Sequence, residues 1–226
     1  MRANRWAGAM MMILGAAVPG ALRAAAPVPG APAGELASGT FRSATAVVIL
    51  DGTMGVPYPS TVEVSGLAGV LTGILVGFAD FEHVSPRDTD ALLVSPSGAT
   101  AIVLSDACGL ADMINVNLVF DDGAAAPLPA SGPCPAGGYQ PTDWTSTPPD
   151  AFPPPAPAGP WGTTFAGLLG ASPNGTWSLY VFDDVTAGDP AGRIEWWTLT
   201  LTTDPGPLFL DGFETGNVAR WSAAVP

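Results

Sequence analysis

Residues 173–201 read PNGTWSLYVFDDVTAGDPAGRIEWWTLTL, and the alternation inside this stretch decides the fold. Asn174-Gly175 is a tight-turn signal. Beyond it Trp177, Leu179 and Val181 alternate with Ser178 and Tyr180, the period of a strand with one face in a core. Asp183-Asp184 ends that run. Residues 194–202 predict a second strand, with Trp197, Leu199 and Leu201 on one face. At this spacing Trp177, Trp196 and Trp197 are expected in the core or packed on a sheet.

Working outward, residues 81–104 read FEHVSPRDTDALLVSPSGATAIVL. Strands over 91–94 and 99–104 flank Ser95-Pro96-Ser97-Gly98, which places Pro and Gly where a type I turn wants them. This is the clearest hairpin in the chain. Residues 69–81 predict a long strand with Val70, Thr72, Ile74, Val76 and Phe78 on one face. Shorter strands are expected over 45–50 and 61–64. Val116, Leu118 and Phe120 alternate with Asn115 and Asn117 to give another, ended by Asp121-Asp122-Gly123. Residues 124–160 are dominated by Pro, Ala and Gly. Tyr139, Trp144, Phe152 and Trp161 are the side chains able to pack that stretch against a core. No helix of ordinary length is indicated after the N-terminal leader. Many short strands separated by turns predict an all-β, jelly-roll-like β-sandwich.

Composition agrees with this reading. The 226 residues include 28 Gly and 25 Pro, heavy punctuation that disfavours long helices. At 47% hydrophobic and 12% charged, the chain is not disordered throughout. Its formal net charge is −13, and every cation is an arginine. Such a surface repels phosphate backbones, which excludes nucleic-acid binding, and attracts divalent cations and basic partners.

Arg2 and Arg5, the apolar run 7–18 and the small residues Ala24, Ala25 and Ala26 form the pattern of a secretory signal. The expected organisation is a signal peptide over 1–26, a Pro/Ala/Gly linker over 27–44, a sandwich over 45–203 and a tail over 204–226. The run 7–18 is too short for an ordinary membrane span, so the chain is expected to be secreted or held in the cell envelope without a stable membrane span. In an exported chain, the isolated pair Cys108 and Cys134 points to a disulfide, with two free thiols as the alternative.

Both quoted stretches strongly resemble the signatures of the proprotein-convertase P domain, also called the P/Homo B domain. The loop at His83 and Asp88 leads to Leu93-Val94-Ser95-Pro96-Ser97-Gly98. Asn174-Gly175-Thr176-Trp177 and Gly192-Arg193-Ile194 with Trp197 and Leu199 follow the later motifs. The resemblance spans residues 58–203. It implies a galactose-binding-like jelly roll that follows subtilisin-like catalytic domains in kexin-type proteases and also occurs in bacterial exported proteins. Two positions depart from the pattern: Arg87 stands where the family has glycine, and Thr89 where it has leucine. Nothing in the chain resembles a subtilisin catalytic domain. Residues 208–226 are similar to a short C-terminal motif of bacterial exported proteins, read either as a sorting or docking tag or as an extra edge strand.

The chain has one histidine, His83, and no G-x-S-x-G elbow, so a serine-histidine-aspartate triad is not expected. The family itself carries a histidine at this place, which favours a structural loop role. Acids gather where strands end. Asp88, Asp121, Asp122, Asp183 and Asp184 are the candidate ligands for calcium, a hard cation that takes carboxylate and carbonyl oxygens. The expected function is that of a non-catalytic module that binds, stabilises or assists a protein partner, either a protease or a cell-surface component. The alternatives are a component carrying serine-endopeptidase activity, which its family label would imply, and a carbohydrate-binding module, which rests on fold analogy.

Overall fold

The computed structural model describes residues 37–144 and 150–206. The stretch 1–26 read as a signal peptide and the tail motif over 208–226 lie outside the described residues. The alternation around Trp177 folds as β10 (Gly175–Asp183), the second strand of a five-stranded sheet ordered β3-β10-β5-β6-β9. Its partners are β3 (Ser60–Val64), β5 (Thr89–Val94), β6 (Thr100–Ser105) and β9 (Thr142–Asp143). β5 and β6 form the expected hairpin, closed by Gly98 N–H donating to Ser95 O at 2.9 Å.

The second sheet has seven strands, β1-β12-β4-β11-β2 with β7 and β8 added beyond β4. They are β1 (Ala37–Arg42), β2 (Val47–Ile49), β4 (Val70–His83), β7 (Met113–Phe120), β8 (Gly137–Tyr139), β11 (Gly192–Ile194) and β12 (Trp196–Asp204). The two sheets enclose one core that contains Trp177, Leu179, Val181 and Leu93 from one side. Val76, Phe78, Trp197 and Leu199 face them from the other. Facing sheets with alternating inward residues make this an all-β sandwich. Among the described residues no helix is long and apolar enough to cross a membrane.

Four expectations need correction. β1 lies inside the stretch 27–44 read as linker, and pairs with β12 from Ala37↔Thr203 to Arg42↔Thr198; Phe41 anchors it in the core. The long strand does not keep one face. Ile74, Val76 and Phe78 point inward as expected, but so does Leu71, while Val70 and Thr72 are exposed. The phase slips because the pairing with β12 shifts between Thr202 and Thr203, and the pairing with β7 shifts again after Phe78. There Asp80 takes a φ of 47°, and each slip of one residue turns the side chains over. The predicted strand over 194–202 is broken at Glu195 into β11 and β12. Finally, Trp177 and Trp197 are buried, but Trp196 is half-exposed under Arg42, whose guanidinium carbon lies 5.0 Å from its ring centroid.

The Pro-rich stretch packs on the outer face of the five-stranded sheet. Phe152 joins Leu92, Ile102 and Tyr180 in a second apolar layer. Tyr58 and Tyr180 donate their hydroxyls to the carbonyls of Pro153 and Pro155, and Ile102 N–H donates to Gly162 O at 2.8 Å. β5 is therefore covered on both faces, and residues 89–93 are all buried. Cys108 and Cys134 are joined by a disulfide with Cα atoms 5.5 Å apart, pinning the start of this region to the loop after β6.

Candidate functional site

The register of the five-stranded sheet carries acids to one end. Antiparallel pairing sets Asp90 of β5 opposite Phe182, next to Asp183 and Asp184 at the end of β10. β6 runs back beside β5 and finishes at Ser105, followed by Asp106. The parallel pairing of β9 places Asp143 opposite Ser105. The covering loop then returns Asp150, whose Oδ2 accepts the Ser105 hydroxyl at 2.8 Å.

The result is a cluster in which carboxylate oxygens of Asp106, Asp143 and Asp150 all lie within 4.8 Å of one another. Asp90, 2% exposed, lies within electrostatic reach of Asp150 and Asp106, and its Oδ2 has no hydrogen-bond partner. Burial first, then the carboxylates of Asp150, Asp184 and Asp106, hold the Asp90 carboxyl well above the ordinary range. Desolvation and then Asp150 raise Asp143. Burial, and after it Asp88, Asp150 and Asp183, raise Asp184. Asp143 and Asp150 also line a cleft of about 470 Å³ whose other walls include Ile102, Phe152 and Trp161.

A second group surrounds the only histidine. His83 Nδ1 accepts the Ser85 N–H at 3.1 Å, which leaves the ring proton on Nε2. Nε2 lies 3.1 Å from Asp183 Oδ2, with both side chains 1% exposed, although off the line of a good hydrogen bond. Asp183 Oδ1 accepts the N–H groups of Gly52 and Val185, each at 3.1 Å. Burial raises the Asp183 carboxyl despite these donors. Gly192 packs flat against the imidazole: a Cβ there would overlap the His83 ring and the Glu82 carbonyl.

The five acids singled out as calcium ligands are not all brought to one place: Asp88, Asp183 and Asp184 lie within electrostatic reach of one another, with the Asp184 N–H donating to the Asp88 carbonyl at 3.0 Å, while Asp121 and Asp122 close turns elsewhere. Asp121 Oδ1 accepts the Gly123 N–H at 2.9 Å, closing the turn after β7. Asp122 Oδ1 accepts the Phe165 N–H at 2.9 Å, at the first residue of a short 3-10 turn over Phe165–Leu168. Asp183 holds His83. Asp88 pairs with Arg87 at 3.2 Å, so the arginine that departs from the family glycine supplies the counter-charge to its neighbour. Of the five, Asp184 comes nearest the cluster, within electrostatic reach of Asp150. Asp90, Asp106, Asp143 and Asp150 went unrecognised as a group. One signal was present: Asp143 and Asp150 are the only charged residues in the stretch 124–160.

The described residues thus define an all-β sandwich with an acidic end and a buried histidine-aspartate pair. No family model matches the chain, and no curated protein matches it. Solved structures similar to the chain include two. One is a chain in the crystal structure of the Aeromonas sobria serine protease and chaperone complex, 16% identical with a TM-score of 0.40. The other is the crystal structure of the serine protease of Aeromonas sobria, 16% identical with a TM-score of 0.37. Each alignment covers 77% of this chain and 28% of the other, so the chain spans well under half the length of the proteins it is similar to.

Proposed function

We propose that this chain is an exported, non-catalytic accessory module of P-domain type that acts by contact with a protein partner, a protease or a cell-surface component. The observation that carries this reading is the placement of His83. A general base must reach a nucleophile and a substrate. Here both ring nitrogens are committed inside the sandwich, one to the Ser85 N–H and one facing Asp183, and the residue is 2% exposed. The same residues answer the sequence resemblance. Asp183 closes the N-G-x-W-x-L-x-V-x-D run on β10, and Gly192 of the G-x-I motif is the surface on which the imidazole rests.

The reading is tested in two arms. Purified chain is incubated with casein and with a fluorophosphonate probe that labels active-site serines. No labelling above that of a heat-denatured control is expected, and saturable labelling abolished by His83→Ala would overturn the non-catalytic reading. In the second arm the chain is added in trans to a subtilisin-type protease from the same organism, and the half-life of thermal inactivation is followed. A longer half-life supports a protease partner. An unchanged half-life moves the partner to the cell surface, where binding of labelled chain to intact producer cells is expected; absence of both effects sinks the contact reading.

A further inference from the structure

We propose that Asp106, Asp143 and Asp150, with the buried Asp90 beside them, form a calcium site at the end of the five-stranded sheet. This goes beyond the accessory reading and stands independently of it. Three oxygens within 4.8 Å of one another match a single calcium ion, because ligands at 2.3–2.6 Å on opposite sides of it are separated by about 5 Å. The donors are all carboxylate oxygens, which suits calcium and disfavours zinc or copper.

The independent observation is Asp90. Its side chain is buried and its Oδ2 has no hydrogen-bond partner, a costly state for a carboxylate away from water. Ser105 lies between Asp90 and Asp150; its one hydroxyl proton goes to Asp150 at 2.8 Å, and although Ser105 is also within reach of Asp90, the Asp90 Oδ2 is left without a donor. The described arginines are placed elsewhere. Arg87 lies on Asp88, Arg193 lies on Glu82 and Glu195, and Arg42 lies on Trp196. A divalent cation is the group that satisfies Asp90 and relieves the repulsion among the others at once. The fold favours this arrangement, because the four acids come from β5, the end of β6, β9 and the covering loop. An ion there would tie the Pro-rich loop to the sheet it covers.

Terbium provides the assay, because Trp161 lines the same cleft as Asp143 and Asp150 and can sensitise its luminescence. The full chain, stripped with a chelator, is titrated with terbium and then back-titrated with calcium and with magnesium. One equivalent of terbium is expected, displaced by calcium at a concentration at least about tenfold below that needed for magnesium, which keeps its waters and demands a tighter octahedron. With calcium at a hundred times Kd, the melting midpoint is expected to rise by about 5–10 °C. The double variant D143N/D150N should weaken binding by at least about a hundredfold, since affinity follows ligand charge, and should abolish the calcium-dependent rise. Its midpoint in chelator should equal or exceed that of wild type, because carboxylate repulsion is removed. If the double variant fails to fold, D143N alone, at an exposed position, carries the same comparison. D121N, at the turn after β7, should bind like wild type. Absence of saturable terbium binding, or binding and stabilisation unchanged in the site variants, overturns the proposal. So does loss of binding in D121N equal to that in D143N.

Discussion

Replacing Asp183 with alanine tests whether the histidine-aspartate pair is scaffold. Two backbone donors lose their acceptor, and the buried His83 Nε2–H loses the carboxylate that faces it at 3.1 Å. That nitrogen can recruit no water, so removing the facing charge costs about 1–3 kcal/mol. Gly52 is half-buried, and its N–H loses roughly 1 kcal/mol. Val185 is exposed, so its N–H turns to solvent at little cost. The sum is about 3 kcal/mol, or a fall in midpoint of about 6–12 °C for a domain of this size. Asp183→Asn should lose roughly half of that. Its Oδ1 keeps both backbone donors, but its amide then meets a second donor at Nε2, and the Ser85 N–H on Nδ1 blocks the alternative tautomer. The pH dependence follows from the sign of the shift. The Asp183 carboxyl is raised above its ordinary 3.8 by burial, with Asp51 adding to the effect and His83, Gly52 and Val185 opposing it. Its contribution is therefore fully present below the unfolded value and is lost as pH rises through the folded value. The margin of wild type over Asp183→Asn should be widest in acid and narrow from pH 3.8 upward. Urea denaturation at several pH values, with m compared between variants, measures both. A Asp183→Ala midpoint within error of wild type at equal m, or a margin that widens with pH, would refute the reasoning.

Gly192→Ala should destabilise by about 2 kcal/mol or more, because the new methyl meets a ring and a main-chain carbonyl held by two strands; tryptophan fluorescence in urea reads it. Replacing both Cys108 and Cys134 with serine removes a bridge between residues 26 apart, and should lower stability by about 3.5 kcal/mol in the chain-entropy model; calorimetry of the oxidised wild type and the variant gives the difference. Phe152→Ala should cost about 2–3 kcal/mol, less than a deep-core phenylalanine, because the covering loop can partly collapse. Limited proteolysis should then cut within residues 150–162 of the variant before the sandwich unfolds.

The strands that alternate cleanly were legible because burial on one face writes a period of two into the sequence. β10 and β12 show it from Trp177 to Val181 and from Trp197 to Leu201. Where a strand is covered on both faces the signal fades. β5 is buried through residues 89–93, since the Pro-rich loop seals its outer side. That loop was recognisable as a cover from its aromatics, but its landing place depends on Tyr58 and Tyr180, far away in sequence. β4 was found as a strand, yet its facing was not, because bulges are set by the partner strands and leave no mark of their own beyond a single left-handed residue, Asp80. β1 was missed for a related reason. Its residues ASGTFR have little hydrophobic pattern, and β12 supplies the edge that makes them a strand.

The acids show how far strand-end logic reaches. The rule that carboxylates gather where strands stop holds, but a strand has two ends and the sheet decides which ends are neighbours. Asp121 and Asp122 follow β7 in the seven-stranded sheet, where each finds a backbone N–H to accept. Asp90 and Asp106 belong to strands of the other sheet, joined as a hairpin, so the start of one meets the end of the next. Asp143 arrives only because β9 adds in parallel to β6, a pairing of two residues that no local signal announces. Adjacent acids in sequence therefore separate in role, while acids from four separate segments converge. The distinguishing property is what each carboxylate accepts. Those with backbone donors close turns, Asp183 faces the histidine, and Asp90 keeps a buried oxygen without a donor beside the carboxylates of Asp150, Asp184 and Asp106. That convergence, absent from any local stretch of sequence, is the ground on which the calcium site is proposed.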